Sequence, residues 1–263
     1  MLGPFLPRFF GGLACRTWFT TRRFKRPAME NAAANRADRS SLNVNGVDIT
    51  VWSWGKGQPI LFIHGWCGRG TQVAAMLQAL LDAGYRVISF DAPAHGETAG
   101  KRTSMLEIAD VVLALGKKYG PIHGTITHSL GGMVLSYACT RGFNTGCAVC
   151  LGPPATTDHI LDRFQRALMI PDKVMDEMKN RLYASYGKDV QRRTSSLVNV
   201  KNLAIPALII HDDKDLDIPW QDGRAVADAW PGAVFKLTRG LGHRRMLRDP
   251  DTIISVTEFI INS

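Results

Sequence analysis

The chain has 263 residues, 45% of them apolar, which is ordinary for one globular domain with a sizeable core. Its formal net charge is +9, but residues 1–40 contain eight Lys or Arg residues and only two acidic residues, so the rest of the chain is not basic enough to predict nucleic-acid binding. No stretch reaches the ~18 consecutive apolar residues that a membrane-spanning helix requires, and five cysteines, an odd number, argue against a complete disulfide framework and for a reducing, cytoplasmic location.

Residues 1–40 are interpreted as a separate N-terminal arm that is both basic and aromatic. Its positive charge mostly follows the apolar run instead of preceding it, unlike in a secretory signal peptide. The arm could pack on its own domain, or its aromatic residues could rest on an anionic membrane surface. An organelle-targeting segment is a third alternative. We therefore expect either a structural arm or peripheral membrane contact through residues 1–26.

Beyond the arm, strand and helix patterns alternate along the chain. Asn45-Gly46 tolerates the positive φ values of a two-residue hairpin turn, and short apolar runs then alternate with segments whose apolar residues repeat at helical spacing. Strands are predicted over 41–44, 47–52, 59–64, 86–90, 124–127, 148–151, 207–210 and 234–237. Helices are predicted over 71–83, 104–119, from the serine turn to about 141, and over 222–230 and 252–261.

This alternation predicts an α/β fold with a mainly parallel central sheet that helices flank on both faces. It stops at Pro153-Pro154, and residues 155–200 show helical patterns without a clear strand. We therefore divide the chain into the arm, an α/β core of residues 41–152 and 201–263, and a helical segment of residues 153–200.

Ser129 is the most informative single residue. It lies in the run His128-Ser129-Leu130-Gly131-Gly132, directly after a predicted strand and before a helix-compatible run, which favours a sharp strand-to-helix turn that exposes its hydroxyl. That placement makes Ser129 a candidate nucleophile, although the Ser-Leu-Gly-Gly run also suits an ordinary helix N-terminus.

Together with three further motifs, this turn resembles the α/β-hydrolase superfamily, in particular its serine esterase and lipase-like branch. The other motifs are a glycine-rich run over 64–68, an acidic turn over 211–219 and the glycine-flanked His243, so nucleophile, acid and histidine follow in the order of that fold. The resemblance implies that residues 153–200 form a helical cap, or lid, over the serine. Thr127 departs from the family pattern, because a glycine usually stands two residues before the serine, and we expect it to crowd the turn.

A serine hydroxyl needs a base within hydrogen-bond reach and a carboxylate that orients the base. His243 is the predicted base, since it lies in a turn after a predicted strand and before the last helix. In the family that the chain resembles, the acid lies four residues before a proline, and this spacing selects Asp215. Asp213 and Asp217 are alternatives.

The same resemblance implies an oxyanion hole formed by the main-chain N–H groups of Trp66 and Leu130. Methionine and aromatic side chains of the cap would add a deformable apolar surface suited to acyl chains. The predicted substrate-contacting residues are Trp66, His128, Phe164, Met175 and Met178.

No metal or organic cofactor is predicted. His211 with Asp212 and Asp213 is one conceivable metal site, but adjacent side chains on an extended segment point to opposite sides. Cys147 and Cys150 lack partner ligands and are interpreted as buried small apolar residues. Asp91 and His95, after the strand over 86–90, are expected to support the site as scaffold.

The motifs predict a serine hydrolase that cleaves a small-molecule carboxylic ester through an acyl-enzyme intermediate, with short to medium acyl chains favoured. Thioesters, lactones and amides remain open, because the motif specifies acyl transfer and not the leaving group. A catalytically silent protein of the same fold, used for binding or membrane association, is the alternative from another functional class.

Overall fold

The computed structural model describes residues 6–263, so the first five residues of the arm lie outside the described part. Its centre is an eight-stranded sheet. The strands are β1 (Asp38–Val44), β2 (Val47–Trp54), β3 (Pro59–Ile63), β4 (Arg86–Phe90), β5 (Ile122–His128), β6 (Thr145–Leu151), β7 (Ala207–Asp212) and β8 (Val234–Thr238). Their order across the sheet is β1-β2-β4-β3-β5-β6-β7-β8. The β1–β2 and β2–β4 pairs are antiparallel and the other pairs are parallel, which confirms the predicted fold class.

Helices precede, connect and follow the strands. They are α1 (Pro7–Phe19), α2 (Ala28–Asn35), α3 (Leu77–Asp82), α4 (Met105–Tyr119), α5 (Leu130–Thr140), α6 (Thr157–Ala167), α7 (Asp172–Tyr186), α8 (Val190–Arg193), α9 (Ser196–Asn199), α10 (Trp220–Ala229), α11 (Gly242–Arg245) and α12 (Pro250–Ile261). Short 3₁₀-helices cover Gly70–Ala75, Val200–Asn202 and Met246–Arg248. The segment predicted as one helix over 71–83 is thus a 3₁₀-helix followed by α3.

The start of α4 illustrates how the sequence sets a helix boundary. Ser104 accepts a hydrogen bond from the Glu107 N–H (3.2 Å), and the Glu107 carboxylate accepts one from the Ser104 N–H (2.6 Å). This reciprocal pair satisfies two donors that would otherwise lack a partner at the helix N-terminus. The boundary predicted at residue 104 therefore has a local chemical cause.

The central strands are buried on both faces, as expected for a parallel sheet covered by helices. Successive side chains of a strand point to opposite faces, and β3 follows this rule. Leu61 and Ile63 belong to the apolar cluster that contains residues of α4 and α5, whereas Ile60 and Phe62 belong to the cluster that contains residues of α3 and α12. All four side chains are fully buried.

The N-terminal arm contributes a third apolar cluster outside the sheet. Helix α1 packs on α7 of the segment between β6 and β7. Gly11 permits this contact, because a Cβ atom there would lie 2.8 Å from Glu177 Cβ. None of the helices formed by residues 6–263 combines the length and the apolarity that crossing a bilayer would need.

Candidate active site

Ser129 lies at the junction of β5 and α5. Its φ of 53° and ψ of −124° are a strained conformation for a residue with a side chain. The Ser129 N–H donates to Leu151 O (2.8 Å), and the Gly132 N–H donates to Ser129 O (3.0 Å). A Cβ atom at Gly131 would lie 2.4 Å from Ile63 O, so glycine is needed for α5 to approach β3 this closely. The predicted strand-to-helix turn therefore forms, with the serine half-buried.

Thr127, the expected source of crowding in this turn, is accommodated inside the sheet. Its side chain is fully buried, and its hydroxyl donates to Val149 O (3.3 Å). A Cβ atom at Gly132 would lie 3.5 Å from Thr127 Oγ1, an ordinary contact distance, so the hydroxyl does not crowd α5. The threonine therefore packs beside the turn without displacing it.

His243 lies at the start of α11, in the turn that follows β8. Its Nδ1 donates to Asp215 Oδ2 at 2.7 Å, and Asp215 Oδ1 accepts the main-chain N–H groups of Asp217 (2.9 Å) and Ile218 (2.8 Å). Burial would raise the pKa of Asp215, but hydrogen bonds from His211, His243 and the Ile218 amide outweigh it and hold this pKa well below its usual range. The carboxylate beside His243 is therefore ionised.

The other carboxylates of the acidic turn have different contacts. Asp212 accepts the main-chain N–H groups of Leu241 (3.0 Å) and Gly242 (2.7 Å), which ties the turn before His243 to the end of β7. Asp213 also accepts a main-chain N–H of that turn (3.0 Å). Asp217 is exposed. Of the acids considered from sequence, the structure brings Asp215 into contact with the histidine.

The loop of residues 64–68, called here the oxyanion loop after the role expected from sequence, lies against the serine. A Cβ atom at Gly65 would be 2.8 Å from Ser129 Cβ, so the glycine lets the two main chains approach. Within residues 6–263, neither the Trp66 N–H nor the Leu130 N–H donates to another protein group. Both amides therefore lack a protein acceptor among the described residues.

Two buried histidines hold this loop in place. The Cys67 N–H donates to His95 Nε2 (3.0 Å), and the Ala92 N–H donates to His64 Nε2 (3.1 Å). Burial lowers the pKa of His64 to about 4 and, together with the nearby His64, lowers the pKa of His95 to about 3. Both rings are consequently neutral at pH 7, and each has an unprotonated Nε2 that can accept a hydrogen bond.

Ser129 and His243 line one cavity of about 520 Å³. His128 lines it too and supports His243: the ring centroids lie 4.6 Å apart, and His128 Nε2 donates to His243 O (2.8 Å). Burial and the nearby His243 lower the pKa of His128 to about 3. In the described part of the chain, the Ser129 hydroxyl makes no hydrogen bond to the imidazole of His243.

Three predicted substrate-contacting residues lie elsewhere. Phe164, Met175 and Met178 pack in the apolar cluster of α1, α6 and α7, where the Phe164 ring is 5.2 Å from that of Trp18. None of the three lines the Ser129 cavity, whereas Trp66 and His128 do. Met175 and Met178 of α7 are covered by α1, a contact that no local pattern indicates.

The cavity instead includes residues that sequence reasoning missed. Those outside the motifs include Phe24, Pro27, Met29, Glu30, Arg69, Arg244, Leu247 and Arg248. One signal was available for the arm: Glu30 is the only acidic residue among the first 37 of the chain. A lone carboxylate in a basic segment suggests a specific partner.

Residues 60–256 match the sequence profile of the alpha/beta hydrolase family. A non-heme chloroperoxidase of Kitasatospora aureofaciens is 26% identical, over 76% of this chain and 90% of that protein. The structure is similar to that of a bromoperoxidase from Bacillus anthracis (TM-score 0.69, 18% identity, covering 86% of this chain and 100% of that one). It is also similar to a thermophilic esterase from Thermogutta terrifontis (TM-score 0.63, 19% identity, covering 86% and 99%). By sequence and by fold, the chain belongs to the alpha/beta hydrolase family.

Proposed function

We propose that the protein is a serine hydrolase that cleaves carboxylic esters through an acyl-enzyme intermediate. The observation that carries this proposal is the arrangement of three side chains: Ser129 and His243 line one cavity, and His243 Nδ1 is bound to the ionised Asp215 at 2.7 Å. A nucleophile, a base and an orienting acid are the parts that acyl transfer by serine requires.

In the proposed reaction, Ser129 Oγ attacks the ester carbonyl and its proton passes to His243 Nε2. The Asp215 carboxylate keeps the other ring proton on Nδ1, so that Nε2 is the basic nitrogen. The alcohol leaves with the proton from His243, and water then releases the acid by the same steps. The hydroxyl and imidazole need not be hydrogen-bonded at rest, since such bonds often tighten only when substrate binds.

In this proposal, the N–H groups of Trp66 and Leu130 stabilise the negative charge that develops on the carbonyl oxygen. Removing one donor of this kind costs about 3 kcal/mol of transition-state stabilisation in tested hydrolases. Short to medium acyl esters are the preferred substrates in this proposal, because Phe24, Met29 and Leu247 give the cavity an apolar wall. Thioesters, lactones and amides would use the same residues.

A perhydrolase reaction is a second candidate, and the similarity to the chloroperoxidase favours it. Hydrogen peroxide would take the place of water and accept the acyl group, which gives a peracid. The peracid would then oxidise a halide ion to hypohalous acid and be reduced to the carboxylic acid. The protein would contribute the acyl-enzyme and no redox centre.

A fluorophosphonate probe with a panel of p-nitrophenyl esters of graded chain length tests the main proposal. We expect the wild type to be labelled and to hydrolyse the esters, and Ser129→Ala to lose both activities while remaining folded. Absence of labelling in the folded wild type would instead support the catalytically silent alternative. Bromination of monochlorodimedone in acetate, peroxide and bromide, lost in Ser129→Ala, would support the perhydrolase reaction.

A further inference from the structure

Part of the candidate active site comes from outside the segment that matches the family. The family profile begins at residue 60, yet Phe24, Met29 and Glu30 of the N-terminal arm line the Ser129 cavity. The side chains of Phe24 and Met29 are 54% and 47% exposed, so other protein groups cover them only in part. The family profile therefore does not cover this wall.

The arm is held in place by specific hydrogen bonds. The Thr21 N–H donates to Lys101 O (3.1 Å), and the Arg23 guanidinium donates to Gly96 O (2.9 Å) and Thr98 O (2.6 Å). These hydrogen bonds hold residues 20–30 in a fixed position over the loop that follows β4.

Glu30 then makes a buried ion pair with Arg69. Arg69 Nε donates to Glu30 Oε2 (2.5 Å), Arg69 Nη2 donates to Glu30 Oε1 (3.0 Å), and the Thr71 hydroxyl also donates to Oε2 (2.8 Å). Arg69 Nη1 donates to Phe24 O (2.9 Å). Glu30 and Arg69 are only 8% and 7% exposed. A two-point contact of this kind sets the direction of the guanidinium as well as its distance.

Arg69 is directly joined to the oxyanion loop. It follows Gly68, whose N–H donates to Gly65 O (2.9 Å), and the Arg22 N–H of the arm donates to Cys67 Sγ (3.2 Å). The arm thus contacts both the loop and the residue that follows it. Movement of Arg69 would shift the loop that presents the Trp66 N–H.

We propose that residues 20–30 form part of the active site. Glu30 acts as a positioning residue for the oxyanion loop through its contact with Arg69. Phe24 and Met29 contact the acyl or leaving group of the substrate. This rests on the proposed serine hydrolase function. The matching substrates are esters with an apolar group large enough to reach the arm.

Glu30→Gln tests the positioning role. It replaces a carboxylate oxygen with an amide donor that faces the guanidinium, so the two-point contact with Arg69 is lost. We expect kcat for p-nitrophenyl butyrate to fall at least tenfold with KM within twofold, and the affinity for a trifluoromethyl ketone inhibitor to fall in parallel. A folded variant with wild-type kcat and inhibitor affinity would overturn the role of Glu30.

A double variant controls for a loss of stability in Glu30→Gln. Removing one partner of a buried pair leaves an uncompensated charge, whereas replacing both by apolar residues is often neutral for stability. We expect Glu30→Leu/Arg69→Leu to melt near the wild-type temperature and still to lose at least tenfold in kcat. Wild-type kcat in this variant would show that the ion pair does not position the loop.

The apolar wall is tested by Phe24→Ala, with Phe9→Ala as the matched control. Phe9 is 67% exposed on α1 and does not line the Ser129 cavity. We expect Phe24→Ala to raise KM for the octanoate ester at least fivefold relative to the acetate ester, and Phe9→Ala to leave the ratio unchanged. Equal effects of the two variants would overturn a substrate contact at Phe24.

Alkylation of Cys67 tests the placement of the arm without any hydrolytic readout. Cys67 lines the cavity and is half-buried beneath Arg22. We expect Glu30→Gln to raise the rate of Cys67 modification by N-ethylmaleimide at least threefold, measured by peptide mass spectrometry. An unchanged rate would contradict the placement, even if the wild type hydrolyses no ester. A raised rate without hydrolysis would support the placement and reject the proposed function alone.

Discussion

The variant Asp215→Asn tests whether Asp215 is the catalytic acid, as distinct from the neighbouring carboxylates Asp212, Asp213 and Asp217. Asp215 Oδ1 accepts two main-chain N–H groups, from Asp217 and Ile218, so the oxygen of the new amide must take that position. Its NH₂ group would then occupy the position of Oδ2, 2.7 Å from His243 Nδ1 and 3.3 Å from His211 Nε2. His211 Nε2 already donates to Ile218 O (3.0 Å), so two donors would face each other there.

The same exchange would change the tautomer of His243. Nδ1 would have to accept a hydrogen bond from the new amide, which puts the ring proton on Nε2, where it cannot take the serine proton. Loss of the correct tautomer in a serine protease lowers kcat about 10⁴-fold, equivalent to about 5.4 kcal/mol of activation free energy. We expect a loss of that order here, with KM little changed.

The assay is steady-state hydrolysis of p-nitrophenyl butyrate, with the rate of fluorophosphonate labelling as a second measure of serine reactivity. Asp213→Asn is the matched control, because the Asp213 carboxylate neither contacts His243 nor lines the Ser129 cavity. We expect it to stay within about threefold of the wild type, as is usual for substitutions that remove no catalytic contact. The reasoning is refuted if Asp215→Asn keeps more than a tenth of the wild-type kcat, or if the control loses as much.

Three further predictions concern the scaffold around these residues. Gly65→Ala should lower kcat at least a hundredfold in a protein that still folds, because its Cβ atom would lie 2.8 Å from Ser129 Cβ; near-normal kcat would mean that the loop can move away. Thr127→Gly should leave kcat within about threefold and lower the free energy of unfolding in urea by roughly 1–3 kcal/mol, since it removes a buried side chain; an increase in kcat would show that Thr127 does strain the turn. Three buried histidines, His64, His95 and His128, have pKa values lowered to about 4, 3 and 3, below the unfolded value near 6.5. Their contribution to stability is therefore complete above about pH 6.5 and is lost as the pH falls toward 4; urea unfolding at pH 7.5, 5.5 and 4.5 should show this decline, and constant stability would contradict neutral buried rings.

Local patterns in the sequence were sufficient for the sheet and for the residues of the strand-to-helix turn. These patterns are local: each extends over a few residues, as do the apolar runs of strand length, the helical spacing between them and the glycines near Ser129. The structure has the mainly parallel sheet that they predict. For the acid, the resemblance to the family was needed as well: the family's spacing of acid and proline selected Asp215, the carboxylate that contacts His243. These features are readable because each depends on the conformation of one short segment.

Contacts between distant segments could not be read in this way. Met175 and Met178 have the spacing of an apolar helix face, but whether that face meets a substrate or another helix depends on where α1 lies. Glu30 meets Arg69, 39 positions later, only after the arm has crossed the loop that follows β4. The identity of an apolar or charged residue does not predict which residue it will contact, because any matching surface can bury it or pair with it equally well. Periodicity and turn chemistry in the sequence thus determined the central sheet and the turn at Ser129. Tertiary packing alone decided which side chains line the cavity.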